Sequence, residues 1–284
     1  MPATGLTLGD IFLAAHTANV VPDAYGVRWK LTKLDGWDDG WEGNNPSVDQ
    51  RPQADGAWVA PQYAGPRIVH LGGSLDAASW DDVTRAWNRL LAQVPFRQLG
   101  TLRVSTGEGT EPELTALVRQ HEKPVLTRIG GHGNFSLSLL APDPRRYASS
   151  SRMVSLVLPL LSGGIAPPLT PPFTVTGSTT MSQATLLNDG TTTTYPVMLV
   201  VGPCPPATIA NLTTGEARRV LDAVPAGQTL VIDELNGTAT TGGQARRLLG
   251  TPVGLVPGAN EIAFSADGYD AAASLSISYR SAWK

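Results

Sequence analysis

The sequence predicts a mainly β chain, α+β in its N-terminal half with one marked amphipathic helix, and an antiparallel β-sandwich in its C-terminal half. Three observations carry this reading. The stretch YGVRWKLTKL, residues 25–34, alternates Val27, Trp29 and Leu31 with Arg28, Lys30 and Thr32, the period of a half-buried strand. The stretch SWDDVTRAWNRLLAQVP, residues 79–95, puts Trp80, Val83, Trp87, Leu90, Leu91 and Val94 on one helical face, the stripe of a helix that covers a core. In the last third of the chain, short apolar runs are punctuated by Gly, Pro, Asn and Asp roughly every ten residues, as in sandwiches and barrels.

The N-terminal half reads as strands near 5–14, 25–34, 67–72, 101–105, 125–129 and 134–141. In the helix, Ser79 is the candidate N-cap and Asp82 follows three residues on, a relative of the capping box. Asp81 and Asp82 suit the positive end of the helix dipole, and Pro95 forces a stop. A second helix is predicted at 111–121, EPELTALVRQH, with Pro112 in its first turn. The segment LSGGIAPPLTPPF, Leu161–Phe173, is the clearest boundary, because its prolines remove backbone donors and favour an extended path. The expected organisation is therefore an N-terminal domain over 1–160, a Pro-rich linker over 161–172 and a C-terminal sandwich over 173–284. The sandwich strands are read from YPVMLVVGP, ATIANLTTG, QTLVIDELNG, ARRLLG, NEIAFSADG and ASLSISYRSAW. No repeat of 20–50 residues is evident.

Composition excludes several function classes. Only 16% of the residues are charged and the net charge is −3, which argues against a protein held to nucleic acid by phosphate contacts. Low charge also suits a surface hidden by assembly, since interface cores are depleted of charge. With the single cysteine Cys204, no internal disulfide is possible. The N-terminus lacks the basic and apolar regions of a signal peptide. The longest apolar run, MVSLVLPLLSGGIAPPL, is broken by Pro159 and two glycines, so membrane insertion is not expected; the chain is read as soluble.

Motifs for chemistry are missing from the pattern. The histidines His16, His70, His121 and His132 have no metal-ligand spacing. IGGHGNF, residues 129–135, lacks the ending of a phosphate-binding loop and precedes a strand; it reads as a hairpin turn with glycines at positive φ. STGEGTE, residues 105–111, reads as a loop. Acidic pairs such as Asp38–Asp39 and Asp81–Asp82 are adjacent, with nothing to bring them to a cleft as general acid and base. No catalytic residue, cofactor site or metal site is assigned, and the chain is read as a non-enzyme.

The tryptophans are the remaining signal. Trp80 and Trp87 share the core face of the helix, and Trp29 lies in register with Val27 and Leu31. Trp37, Trp41 and Trp58 fall in a polar, glycine-bearing stretch, LDGWDDGWEGNNPSVDQRPQADGAW, residues 34–58. Two uses compete. Aromatic faces stack on sugars, which would make a carbohydrate-binding module or adhesin. Tryptophan is equally an interface anchor, which would pin the loop to a neighbouring subunit.

A resemblance chooses between them. LTLGDI followed by YGVRWKLTKLDGWDD, then DGAWVAPQYAGPRIVHLGGSLDAASWDDVTRAWNRLLAQVP, then LLAPDPRRYA, are similar in order to the N-terminal half of the siphovirus distal tail proteins, often labelled phage minor tail proteins. LNDGTTTTYPVMLVVGPCPPATIANLTTGEARRVLDAVPAGQTLVIDELNG and LVPGANEIAFSADGYDAAASLSISYRSAWK resemble the opening and the end of that family's C-terminal half. The resemblance implies an N-terminal split barrel that oligomerises as a hexameric ring, and a galectin-like sandwich outside it. It implies a virion structural protein at the tail tip, made in the bacterial cytoplasm, with no catalytic residues. Its expected partners are itself, the tail tube protein, the tail-tip hub or tail-associated protein, and receptor-binding or fibre proteins. Trp37, Trp41 and Trp58 then become candidate subunit-interface anchors. The long 34–58 loop and the Thr/Ser-rich stretch 174–194 depart from shorter relatives.

Overall fold

A computed structural model of the chain describes residues 5–15, 20–40, 48–60, 63–93, 98–105, 111–126, 131–159 and 182–284. The chain divides into two compact units between Ser149 and Ser150. The mainly β prediction holds in both.

The N-terminal unit comprises β1 (Gly5–Leu8), β2 (Ile11–Ala15), β3 (Arg28–Asp35), β4 (Val48–Gln50), β5 (Ala57–Val59), β6 (Arg67–Asp76), α1 (Trp80–Gln93), β7 (Gly100–Ser105), β8 (Pro112–Leu126), β9 (His132–Ala141) and β10 (Arg146–Ala148). Seven strands close in the order β8-β7-β1-β2-β3-β6-β9, with β9 pairing back onto β8. Closure leaves these strands without a free edge. The β2–β3 pairing is parallel and the other neighbours around the barrel are antiparallel. β10 adds to β8, while β4 and β5 form a two-stranded sheet of their own.

Alternation places Leu6, Leu8, Leu13, Leu71, Leu102, Leu114, Leu137 and Leu139 in the barrel core, and fully burying such a side chain contributes about 1.5–3 kcal/mol. Helix α1 forms as the sequence predicts. Ser79 Oγ accepts from Asp82 N at 3.2 Å and donates to its carboxylate at 2.6 Å. Val83, Ala86, Trp87 and Leu90 are buried, and Trp80 and Leu91 pack partly against the same core. Trp87 and Trp29 both meet Phe135, at ring separations of 5.9 and 6.0 Å. The proline stop at Pro95 lies outside the described residues.

The second predicted helix is a correction. Residues 112–126 are the long strand β8, paired with β7 and β9. Leu114, Ala116 and Val118 point to the core, a period of two that pairing on both sides enforces. The turn at 129–135 is corrected in part. Gly131 and Gly133 do not have positive φ, and Ile129 and Gly130 lie outside the described residues. Gly131 serves close approach instead: its carbonyl accepts from Ala77 N at 2.6 Å, and a Cβ there would sit 2.1 Å from the Ala77 carbonyl oxygen.

The C-terminal unit comprises β11 (Arg152–Val157), β12 (Ser182–Asn188), β13 (Val197–Val201), β14 (Ala207–Asn211), β15 (Glu216–Val220), β16 (Thr229–Asp233), β17 (Thr238–Thr241), β18 (Gln244–Ala245), β19 (Leu248–Gly250), β20 (Gly258–Ala266) and β21 (Ser274–Tyr279). One sheet runs β11-β21-β13-β16-β17-β18 and the other β12-β20-β14-β15-β19. They share one core, in which Met198, Leu230, Ile232, Leu275 and Ile277 of the first face Leu186, Ile209, Ile262 and Phe264 of the second. The predicted inward face of Leu275, Ile277 and Tyr279 is buried as expected. β11 arises from residues that the proline signal had placed upstream of the boundary, and β12 from the Thr/Ser-rich stretch. The segment 161–172, expected as the linker, lies outside the described residues.

The sandwich manages its edges. At one side, Arg152 Nη1 donates to the Leu187 carbonyl of β12 at 2.8 Å, and Leu187 N donates to the Tyr279 hydroxyl at 3.1 Å. At the other side, β18 and β19 are only two and three residues long. Within the core, Arg218 and Glu234 form a buried ion pair at 2.8 Å.

Candidate assembly surface

The polar stretch 34–58 is fixed at its root by one arginine. Arg67, at the start of β6, donates through Nη1 to the carbonyls of Gly36, Trp37 and Asp39 at 2.8, 2.8 and 3.0 Å, and through Nε to the Pro144 carbonyl at 2.9 Å. Burial, with the nearby Arg146 guanidinium, lowers the Arg67 pKa from its ordinary value. Gly36 makes the close approach possible. It has a φ of +78°, and a Cβ there would lie 2.0 Å from the Ile68 carbonyl oxygen. A cavity of about 240 Å³ opens beside this clasp, lined among others by Asp35, Asp39, Arg67 and His70.

The three tryptophans of the stretch separate. Trp37 is 2% exposed and belongs to the barrel core. Arg146 sits 5.5 Å from its ring centroid and bonds Asp38 at 2.7 Å. At that exposure the indole is packed within its own chain and offers little surface to a neighbouring subunit. Trp41 lies outside the described residues. Trp58 stands on β5 and is 58% exposed, next to Val59 at 61%. Asp49 is its direct cross-strand partner, so the indole and an exposed carboxylate share one face of the β4–β5 hairpin. Arg51 lies 5.9 Å from the Trp58 ring.

A second surface lies at the entry to β3, and sequence reasoning missed it. Asp23 accepts from the backbone of Tyr25 and Val27 at 2.9 and 3.0 Å, from Trp29 Nε1 at 2.9 Å, and from Arg89 of α1. Burial acts to raise the Asp23 pKa, but these donors together hold it below the usual carboxylate range. Tyr25 is left 75% exposed, with the Arg89 guanidinium 4.2 Å from its ring centroid. Tyr25, Val27, Asp82, Arg85, Ala86 and Arg89 line a groove of about 370 Å³. The signal was present as Tyr25 and the Arg85/Arg89 pair one helical turn apart, but only folding brings residues 23–27 to α1.

The C-terminal unit offers a different face. Outward residues of its larger sheet include Met153, Ser155, Val157, Val197, Leu199 and Val231, beside Ser274, Ser276 and Ser278 of β21. Among the described residues, this face has no aromatic ring to stack on a sugar. Among the described residues, no three His, Cys, Asp or Glu side chains group as a metal site.

No protein-family profile and no curated protein sequence matches the chain. Solved structures do. The chain is similar to the Dit protein (gp 19.1) of phage SPP1, described as a paradigm of the hub adsorption apparatus in phages infecting Gram-positive bacteria. The TM-score is 0.61 at 10% identity, over 90% of this chain and 94% of that one. Two structures of the phage P2 baseplate in its activated conformation also match, both at 11% identity. With Ca the TM-score is 0.46, over 88% of this chain and 90% of that one; with Sr it is 0.47, over 96% of each. A closed barrel with one helix, followed by a two-sheet sandwich, is thus a fold that this chain shares with the SPP1 protein along nearly its whole length.

Proposed function

We propose that this chain is a structural protein of a phage tail tip. Its N-terminal barrel forms a closed ring, read as hexameric, that joins the tail tube to the fibre or baseplate and its host-adhesion components. The C-terminal sandwich, read as galectin-like, is carried by that ring. The observation that supports the reading most is the end-to-end likeness to the SPP1 protein, barrel and sandwich in the same order, with both chains covered almost completely. The low charge content fits a protein whose surface is shared with other copies and other tail components.

The role needs shape and self-association, and no catalytic group is assigned to it. Partners are further copies of the chain, the tail tube protein, the tail-associated hub protein and receptor-binding or fibre proteins, and the place of action is the virion. In this reading Trp58 is the remaining described anchor of the three first considered, since burying one large aromatic side chain contributes about 2–3 kcal/mol. Light scattering on the full chain tests it. A mass about six times that of the 29.9 kDa chain is expected, and a monomer at every concentration would rule it out.

A further inference from the structure

The turn between β16 and β17 holds the one Asn-Gly step of the sequence, Asn236–Gly237. Asp233 and Thr238 pair at its base, so residues 234–237 form the loop of a hairpin. Both residues of the step are exposed. Gly237 has a φ of +64°, a conformation that glycine adopts without steric cost. A Cβ built there would meet nothing within 4 Å, so solvent reaches the step from that side. Among the described residues, no acceptor takes the Gly237 backbone N–H. The Asn236 side chain is held by one neighbour: Asn236 N and Nδ2 donate to the Asp233 carboxylate at 3.0 and 2.6 Å, the local bonding that favours Asp and Asn in turns.

The asparagines of the sandwich core are placed differently. Asn188, Asn211 and Asn260 are 0–1% exposed. Their side-chain amides donate to the carbonyls of Thr192, Gly254 and Val256 at 2.8, 2.7 and 2.8 Å, and the residues that follow them, Asp189, Leu212 and Glu261, all carry a Cβ.

We propose that Asn236 is a site of self-modification, converted by the Gly237 amide and water to aspartate and isoaspartate. The Gly237 nitrogen bonds to Asn236 Cγ and gives up its proton, the Cγ–Nδ2 bond breaks, and Nδ2 leaves as ammonia. The product is a cyclic imide. Water then opens one of its two C–N bonds. Opening at Cγ restores the ordinary peptide bond with aspartate at 236, and opening at the backbone carbonyl leaves isoaspartate, with the chain routed through the side chain. Nothing is oxidised or reduced. The step needs glycine, because a Cβ would crowd the nitrogen as it closes on Cγ. Asp233 is the brake: it holds Nδ2 toward β16, and the side chain must leave it to reach Gly237 N. Either product adds a carboxylate beside Asp233, whose cross-strand partners Val197 and Thr238 are uncharged, and two carboxylates so close disfavour one another.

The test incubates the full chain in mildly alkaline buffer made with oxygen-18 water, then digests it and identifies the products by mass spectrometry. The peptide containing position 236 should gain an acid group carrying solvent oxygen, with isoaspartate the larger share. Its rate should lie well above about a thousandth of that of the same chain in denaturant, since a marginally stable fold spends at most about that fraction of time unfolded. Asp233→Ala should convert several-fold faster with the thermal transition of the sandwich in place. Retention of the amide, or conversion at or below that thousandth, overturns the proposal, because global unfolding then accounts for all of it. An Asp233→Ala rate equal to the parent's overturns the role given to Asp233.

Discussion

The buried ion pair of the sandwich makes a sharp stability prediction. The Glu234 side chain is fully buried and that of Arg218 is 8% exposed. Glu234 Oε2 accepts from Arg218 Nη2 at 2.8 Å and from the backbone N of Val253 at 3.2 Å. Arg218 Nη1 also donates to the Gly250 carbonyl at 3.1 Å. Replacing Glu234 by Ala leaves a guanidinium buried without its counter-charge and a backbone donor without its acceptor. Breaking such a pair from one side costs about 3–5 kcal/mol, which at about 3–6 °C per kcal/mol for a unit of this size lowers its melting temperature by roughly 10–30 °C. Replacing both partners with apolar residues of similar volume, Arg218→Met with Glu234→Leu, is expected to restore most of the loss, since the desolvation of both charges is then avoided. Calorimetry of the full chain reads the sandwich transition separately from that of the barrel. If the double variant is as unstable as Glu234→Ala, the cost lies in lost packing and not in an uncompensated charge, and the reasoning fails.

The two described tryptophans of the 34–58 stretch should behave oppositely. Trp37→Ala, at 2% exposure, should destabilise the barrel by about 3–5 kcal/mol, seen as a fall in its thermal transition. Trp58→Ala, at 58% exposure, should change stability by no more than about 0.5 kcal/mol and act on oligomeric mass alone. A third prediction concerns Asp76, which accepts from Lys30 at 2.8 Å and from His132 Nδ1 at 2.5 Å. Burial opposes its ionisation, yet these partners hold its pKa below the ordinary 3.8. Its contribution is therefore present above the unfolded value and is lost as pH falls through the folded one. The melting temperature of Asp76→Asn should lie below that of the parent near neutral pH, and the gap should close below about pH 4. Finally, burial together with the Asp270 charge pushes the Cys204 thiol up to about 11. A thiol reagent at pH 8 should leave the folded protein unmodified and label it rapidly once unfolded.

What the sequence disclosed follows from how local each signal is. Helix α1 was legible because its cap, its acidic first turn and its apolar stripe all lie within fifteen or so residues. Strand β8 was misread because Leu114, Leu117, Val118 and His121 fall at helical spacing while the true core set, Leu114, Ala116 and Val118, passes through a small alanine. Only pairing with β7 and β9, formed by distant residues, decides between the two periods. The proline run lies outside the described residues, and the chain divides before it, since β11 precedes it and belongs to the C-terminal sheet. Trp37 and Trp58 were alike in sequence. What separates them is Arg67 and Arg146, which reach back to the loop root and draw Trp37 into the core, while the short hairpin leaves Trp58 outside. The Tyr25 groove had no local signature, because its walls come from a loop and from a helix more than fifty residues further on.

Electron microscopy of the purified full-length chain under negative stain tests the central claim most directly. The account predicts closed rings of identical copies around a central opening. A field of single particles with no opening, persisting at high protein concentration, would contradict it.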